Sequence, residues 1–377
     1  KNGYKLLVAI ADVSHYVTRD SELDIAAKER GNSIYLPRKV IPILPEVLSN
    51  NLCSLGPEQD KLTLTCEVHI DEHGNVSRSR FFKAILRSQQ RFTYDQVAII
   101  LGADTNEQAN ALREQHKKLV PMLSHMRQLQ LLLLKARKKR GALDFHFPEA
   151  KAHFDDDGQL IEIKPVHTNL AYSLIEEFML CANVAAAKLL KKQQLPSLYR
   201  HHTAPPLDKL KNLRKFLSLY SLTLEGGDTP GANEYNNTLA QLQPHHDANL
   251  VQTMMLRSLS RAYYQVNSDI GHFGLSYDSY THFTSPIRRY PDLIVHRGLT
   301  ELIAQGKADS HVAASDATLD KYAYNDNSLA DLGQHCSDTE SRADDAARDM
   351  LQFYKCQFVQ EHTGEHFTGT ISSVLSF

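Results

Sequence analysis

The spacing of apolar residues along the chain predicts strands alternating with helices. Residues 4–12 (YKLLVAIAD) form a near-continuous apolar run that ends in Asp12, a pattern typical of a buried central strand ending in a carboxylate. Residues 66–82 and 154–163 each contain two strand-like segments around an acidic turn and therefore predict β-hairpins. The acidic turn at residues 155–157 lacks the rest of a calcium-binding loop, so we expect a plain turn there.

Helical periodicity accounts for most of the remaining chain. The segments predicted to be helical are residues 22–30, 118–140, 172–190, 207–217, 247–264 and 329–360. The second of these ends in a basic run followed by Gly141, and both features are helix stop signals. We expect this basic end to be solvated, and a phosphate-binding surface is the alternative.

Residues 35–54 do not fit either periodicity. Pro37, Pro42 and Pro45 exclude a helix or a central strand, whereas the apolar residues between them require burial. We therefore predict a rigid, ordered loop that packs on the core.

Composition is that of an ordinary globular protein. The chain has 377 residues, of which 42% are hydrophobic and 23% charged. No apolar run approaches the roughly 20 residues of a membrane helix, and the first residues lack a signal-peptide pattern. Together with the absence of an internal repeat or a flexible linker, this predicts one α+β domain over residues 1–361 that is not associated with a membrane.

Cysteine usage and net charge exclude some classes of protein. The five cysteines are scattered and contain no CxxC pair: Cys53, Cys66, Cys181, Cys336 and Cys356. This pattern argues for reduced thiols in the cytoplasm and against a disulfide framework or a zinc site. The formal net charge of −2 argues against a passive nucleic-acid coat protein, which normally shows a basic surface. An enzyme that binds one strand in an internal channel needs only local positive charge.

Residues 281–297 (THFTSPIRRYPDLIVHR) carry the clearest candidate chemistry. Arg288 and Arg289 lie between two proline-containing turns, which hold the backbone and thereby orient both guanidinium groups. An oriented guanidinium can bind a phosphate through two parallel hydrogen bonds. Asp292 is placed to cap the following helix or to brace an arginine. Spacing alone is equally compatible with an ordinary loop that carries two solvated arginines.

The same stretch resembles a known family. It resembles the RNB family, the catalytic domain of ribonuclease II and ribonuclease R, as do AIADVSHYV (9–17), GNSIYLPRKVIPILPEVLSNNLCSL (31–55) and GHFGL (271–275). The resemblance covers nearly the whole chain and is closest to the ribonuclease R branch. It implies an RNB fold, with helices packed on a central, mostly antiparallel sheet. It also implies processive 3′→5′ hydrolysis of single-stranded RNA to nucleoside 5′-monophosphates with Mg²⁺.

The resemblance implies roles for four RNA-binding residues. Tyr35 and Phe145 match the two aromatic residues that clamp the 3′-terminal bases, and stacking of this kind is tolerant of sequence. Glu176 matches a carboxylate near the terminal sugar, where a contact to the ribose 2′-OH would distinguish RNA from DNA. Arg289 is a further candidate RNA contact. Taken alone, the two aromatics are also typical of core residues, and Glu176 of a solvated helix face.

The resemblance also implies a catalytic group. Arg288 matches the arginine that holds the scissile phosphate, and Tyr290 and Asp292 are expected to position its loop. In the family, the Mg²⁺ ligands come from an Asp-rich motif just before the strand that matches residues 4–12, and the 377-residue sequence lacks it. Asp12 is the candidate ligand within the chain, although an aspartate at a strand end commonly caps a turn.

The resemblance therefore leaves functional alternatives. We expect the sheet to be truncated at its N-terminal edge and the 377-residue piece to be inactive on its own. A non-catalytic RNA-binding relative is the alternative function, and a structural or regulatory protein is a third. Residues 362–377 resemble the first strand of an S1-type OB domain, and the whole protein is expected to carry cold-shock domains before this piece. RNA-decay or ribosome-associated proteins are possible partners.

Overall fold

The computed structural model describes residues 3–145, 149–166, 168–242, 247–266, 269–308, 322, 324–366 and 368–369. The strands are β1 (Gly3–Ala11), β2 (Ile34–Tyr35), β3 (Val40–Ile41), β4 (Asp60–Asp71), β5 (Val76–Arg87), β6 (Glu149–Phe154), β7 (Leu160–Val166), β8 (Leu198–His201) and β9 (Tyr263–Val266). The helices are α1 (Val13–Tyr16), α2 (Glu22–Arg30), α3 (Tyr94–Leu101), α4 (Glu107–Gln115), α5 (Val120–Arg140), α6 (Leu170–Lys192), α7 (Leu207–Ser218), α8 (Ala232–Ala240), α9 (Ala248–Ser258), α10 (Tyr290–Ala304) and α11 (Asp326–Glu361).

The main sheet is antiparallel and has the strand order β1–β4–β5. Its centre is β4, where Leu64, Cys66 and Val68 are completely buried. The sequence-based prediction of a central strand at residues 4–12 is wrong, because β1 pairs only with β4 among the described residues. Leu7 of β1 is 53% exposed although its neighbours on both sides are buried, so β1 has one covered face and one open face.

Helix α6 covers the inner face of this sheet and forms the core of the fold. Buried residues line almost its whole length, and they pack with residues of β1, β4 and α5 in one hydrophobic cluster. Among the helices in the described residues, α6 alone is long and apolar enough to span a membrane by composition. Two-thirds of that apolar stretch (67%) is buried within the protein, as expected for a core helix.

Two further hydrophobic clusters frame the functional region. One joins the end of β1, the loop around Ile43 and Leu44, α10 and the first half of α11. The other joins α7, α8 and α9, and Phe145 packs against it. The small antiparallel sheet of β8 and β9 belongs to the first of these clusters through Leu198, Tyr264 and Val266. The predicted α+β fold with mostly antiparallel pairing is thus confirmed.

The proline-containing segment is ordered and packs on the core, as predicted, but it is not entirely irregular. It contains the β2–β3 hairpin and one stretch of π-helix, Val47–Leu52. Ile43 and Leu44 are buried, whereas Ile41, which we expected to be buried, is 41% exposed. Ile41 pairs with Ile34 in the two-residue hairpin, in which no residue of either strand is fully buried.

Most predicted helices are present, with one clear error. The predicted bounds of α2 agree with the structure, whereas the helix expected over residues 247–264 ends at Ser258. Residues 263–266 instead form β9, because their backbone groups pair with β8. The predicted domain boundary after residue 361 stays a prediction, and residues 370–377 of the expected OB strand lie outside the described residues.

Candidate active site

A cleft of about 400 Å³ opens where the end of β1 meets two loops. Its walls are residues 9–11 of β1, residues 53–55 after the π-helix, and the loop of residues 284–288 that precedes α10. Tyr35 and Arg288 both lie on the cleft wall. The structure therefore brings together the predicted base-stacking tyrosine and the predicted phosphate-binding arginine, which are far apart in sequence.

Arg288 presents an uncommitted cation to this cleft. Its side chain is exposed, and it makes no hydrogen bond or ion pair to any other residue in the described part of the chain. Partial desolvation, followed by the neighbouring charge of Arg289, lowers the pKa of the Arg288 guanidinium. An arginine remains protonated at neutral pH even so. A cation without a protein partner, held beside an aromatic ring, is suited to an anionic ligand such as a phosphate.

Arg289, unlike the adjacent Arg288, forms an ion pair within the protein. Its Nε and Nη2 atoms both donate to the carboxylate of Asp292, each at 2.8 Å, and the pair is almost fully buried. Desolvation lowers the pKa of Arg289, but Asp292, Tyr264 and Tyr280 together raise it by more, so the net shift is upward. Asp292 also accepts a 2.7 Å hydrogen bond from the backbone N–H of Ser285. Arg289 and Asp292 therefore brace the cleft loop from inside, and this geometry favours positioning over direct RNA contact for Arg289.

Tyr290 lies beneath the loop and points away from the cleft lining. It is buried, and its hydroxyl donates to Asp24 Oδ1 at 2.8 Å. Arg297 donates to the same carboxylate oxygen at 2.7 Å and to the backbone carbonyl of Val17 at 2.8 Å. This buried network ties α10 to α2, which is the physical basis for a positioning role of Tyr290.

The backbone of the Arg288 loop is joined directly to the segment that leads to Tyr35. Ser33 N donates to Arg288 O, and Tyr290 N donates to Gly31 O, each at 2.9 Å. This short antiparallel bridge starts at Gly31, whose φ of +67° is in the region that favours glycine. A single piece of backbone pairing thus sets the separation of the aromatic residue and the arginine.

Phe145 and Glu176 lie outside the cleft wall. Phe145 packs against the cluster formed by α7, α8 and α9, and residues 146–148 are not described. Glu176 is half-exposed, and its Oε1 accepts a 2.8 Å hydrogen bond from Arg137 Nη1. The same Nη1 donates to Glu177 Oε1 at 2.8 Å. Their roles in RNA binding stay predictions.

The basic end of α5 is more structured than we expected. Arg137 is largely buried against the two glutamates of α6, and Arg140 stacks 3.9 Å from the centre of the Tyr277 ring. Arg140 Nε also donates to Leu275 O at 3.0 Å. The prediction of a solvated helix end is therefore wrong for these two residues, because their partners come from segments distant in sequence.

Asp12 lies at the end of β1, next to the cleft wall. It is buried, its Oδ2 forms an ion pair with Lys83 Nζ at 3.0 Å, and its Oδ1 accepts from Ser14 Oγ at 2.7 Å. Burial raises the pKa of the Asp12 carboxyl, but the lowering effects of its neighbours, of which Lys83 is the largest and Ser14 the next, hold the pKa below its ordinary value. Burial, followed by the charge of Asp12, raises the pKa of the nearby Cys53 thiol to about 11, so this cysteine is not a nucleophile at neutral pH.

The described residues do not fit a divalent metal. Among them, no group of three or more His, Cys, Asp or Glu side chains converges on one point. Both carboxylates nearest the cleft, Asp12 and Asp292, are already neutralised by basic side chains. A hard cation requires several carboxylate oxygens that are free to coordinate it.

Comparison with known proteins identifies the family. The RNB domain matches residues 1–305. The chain belongs to the RNB family. It is 42% identical to ribonuclease R of Vibrio parahaemolyticus serotype O3:K6 over 375 residues, an alignment that covers 100% of this chain and 44% of the relative. The chain thus spans less than half the length of that relative.

Solved RNB structures agree with this assignment. The fold is similar to Mycoplasma genitalium RNase R in complex with ribose methylated single-stranded RNA, with a TM-score of 0.87 and 32% identity, over 100% of this chain and 56% of the other. It is also similar to the same enzyme in complex with double-stranded RNA, with a TM-score of 0.86 and 31% identity, over 99% of this chain and 64% of the other. The RNB fold predicted from the sequence is therefore confirmed.

Proposed function

We propose that this chain is the RNA-hydrolysing domain of a ribonuclease R-like 3′→5′ exoribonuclease. The whole protein would degrade single-stranded RNA processively and release nucleoside 5′-monophosphates. The observation that carries the proposal is the placement of Arg288, exposed and without a partner in the described residues, beside Tyr35 in one cleft. The ribonuclease R relatives support the same reaction.

The two residues divide substrate binding between them. Tyr35 is 52% exposed and offers a ring face to a base, a contact that every base can make. Arg288 offers a planar, two-pronged donor to the adjacent phosphate. A strand bound through one stacked base and one gripped phosphate is held without sequence readout, which suits an enzyme that degrades any single strand.

We further propose that hydrolysis requires Mg²⁺, which would activate water and stabilise the leaving oxygen. Because the described residues offer no free carboxylate cluster, we assign no metal ligand among them. Arg288 acts on the substrate independently of the metal. It orients the scissile phosphate and stabilises the negative charge that develops on it.

The cellular location and the protein partners are also proposals. The five cysteines are free thiols and four of them are buried, which supports a reducing compartment and hence a cytoplasmic location. RNA-decay or ribosome-associated proteins are the partners that we propose for the whole protein.

The test uses the full-length protein and single-stranded RNA labelled at its 5′ end. We expect the full-length RNA to be converted to a short 5′-labelled end product with few intermediates, with release of nucleoside 5′-monophosphates. Activity should be lost in EDTA and recovered with Mg²⁺. Arg288→Lys keeps the charge but loses the two-pronged geometry, and we expect kcat to fall by about 10²–10³-fold with a much smaller change in RNA affinity.

The matched control is Arg348→Lys, an exposed arginine on α11 that lies outside the cleft wall. Its turnover should equal that of the wild type. Internal cleavage, or a 5′ label released as the first product, would contradict the proposed reaction. Normal turnover of Arg288→Lys would show that the arginine only helps to bind RNA.

A further inference from the structure

The segment that leads into the cleft loop is held by buried side chains. Phe283 N donates to Asn183 Oδ1 at 2.9 Å, and Phe283 O accepts from His296 Nε2 at 2.8 Å. Asn183 belongs to α6 and His296 to α10, and both residues are buried, with 4% and 0% of their surface exposed. The backbone N–H and C=O of Phe283 are thus held from two helices, immediately before the residues that line the cleft.

Asn183 is a polar residue in an otherwise apolar part of α6. Its neighbours Ala182 and Val184 are buried core residues, so an unpaired amide at this position would be costly. Both of its polar atoms have partners, because Nδ2 donates to the hydroxyl of Tyr280 at 2.9 Å while Oδ1 accepts from Phe283. The amide is therefore directed entirely at the segment that precedes the cleft loop.

His296 completes the grip from the opposite side. Its ring stacks on that of Phe283, with centroids 4.8 Å apart, while its Nε2–H donates to the Phe283 carbonyl. Its Nδ1 atom has no hydrogen-bond partner within the described ranges. Burial lowers the pKa of His296, and the neutral ring offers one donor, which is used on Phe283.

Hydrogen bonds from buried side chains also hold the backbone of the Arg288 loop. The next backbone contact along the segment is Ser285 N to Asp292 Oδ1. Asn183, His296 and Asp292 thus hold the backbone that leads to Arg288. The Arg288 side chain itself has no partner in the described residues. A transition-state donor must be held closely, since a displacement of about 1 Å can lower a rate by roughly 10²-fold.

We propose that Asn183 and His296 are positioning residues for Arg288, which act by holding the backbone N–H and C=O of Phe283. This inference rests on the proposed exoribonuclease function and assigns these two residues a specific part in it. The alternative is that they only stabilise the core. A purely structural role predicts a lower melting temperature with an unchanged kcat, whereas positioning predicts a lower kcat in the folded protein at unchanged RNA affinity.

The decisive comparison, made in the full-length protein, is His296→Gln against His296→Asn. Both variants replace the ring with a neutral amide, but only glutamine is long enough to place its amide N–H where His296 Nε2 lies. We expect His296→Gln to retain kcat within about 3-fold, and His296→Asn to lose about 10–100-fold in kcat. The Kd for single-stranded RNA, measured in EDTA so that the RNA is not hydrolysed, should be the same for both.

A second comparison tests Asn183. Asn183→Leu removes both hydrogen bonds at similar volume, whereas Tyr280→Phe removes one of them and leaves Phe283 N held. We expect Asn183→Leu to lower kcat by about 10–100-fold and Tyr280→Phe to lower it by less than about 3-fold. All rates are measured below the melting temperature of each variant, so that only folded protein is compared.

The outcomes separate the two proposals. An inactive wild type in Mg²⁺ would overturn the proposed function and this inference with it. An active wild type with equal kcat in His296→Gln and His296→Asn would overturn the inference alone. If Asn183→Leu does not fold, the His296 comparison decides, because both of those variants keep a polar amide in the core.

Discussion

Substitution by methionine should affect stability at one of the two adjacent arginines of the cleft loop and activity at the other. Arg289→Met removes the charge and both donors but keeps much of the side-chain volume. It leaves the Asp292 carboxylate completely buried, with the Ser285 N–H as its remaining hydrogen-bond donor. Removing one partner of a buried ion pair typically costs about 3–5 kcal/mol, and we expect a loss of this size in the free energy of unfolding.

Arg288→Met is the matched control. The Arg288 side chain is exposed and has no partner to leave unsatisfied among the described residues, so we expect its effect on stability to stay within about 0.5 kcal/mol. Its effect on turnover should be large, because it removes the cation that faces the cleft. Arg289→Met should therefore lower stability, whereas Arg288→Met should lower activity.

Urea denaturation at pH 7, followed by circular dichroism, measures the difference. A double variant, Arg289→Met with Asp292→Leu, adds a second check. It removes the stranded charge, so it should be more stable than Arg289→Met alone. If Arg289→Met is within about 1 kcal/mol of Arg288→Met, the argument that the buried pair supports the loop is refuted.

Three further predictions concern the base contact, an ion pair and a backbone position. Tyr35→Ala should lose about 1–3 kcal/mol of affinity for short RNA, so the final product should lengthen, and an unchanged product ladder would contradict a stacking role. Glu67 has its pKa lowered from 4.5 to about 2, chiefly by its hydrogen bond from an arginine, so its stabilising effect is complete above pH 4.5 and is lost as the pH falls towards 2. The ion pair is partly open to solvent, so Glu67→Gln should lower stability by about 1–2 kcal/mol at pH 7 and by almost nothing near pH 2, as measured by denaturation at both pH values. Gly31→Ala should lower the melting temperature by more than Gly227→Ala. Both glycines have positive φ, but only a Cβ at Gly31 would lie 2.1 Å from Thr339 Oγ1. Equal melting temperatures would contradict this.

Local sequence determined many of the individual elements. Helix α2 begins and ends where the pattern predicts, since Ser21 caps its first turn and Gly31 ends it with a positive φ. The long helices α5 and α6 and both hairpins follow from apolar periodicity and turn residues in the same way. These signals lie within a few residues of the element that they specify, so they can be read without knowing the rest of the fold.

Tertiary pairing decided what periodicity could not. The apolar run of β1 has the composition of a central strand, yet strand order depends on which partners are available, and in the described residues its partner is β4 on one side. The roles of Asn183 and His296 were not predicted either. An asparagine in an apolar helix is a signal that a partner exists, but that partner, Phe283, is distant in sequence.

Arg288 and Arg289 are adjacent in sequence but have different contacts, and the sequence alone did not predict which of them faces the cleft. The sequence identified the arginine pair and placed Asp292 where it could brace one of them. Arg288 is the last residue of a turn, whereas Arg289 has extended backbone angles, with φ −133° and ψ 122°. The Arg288 side chain lines the cleft and that of Arg289 binds Asp292. The bridge between Asn32 and Arg289 fixed which side faces inward, because it set the orientation of that backbone against a segment far away in sequence. Arg289 therefore turns to the buried carboxylate, and Arg288 to the cleft.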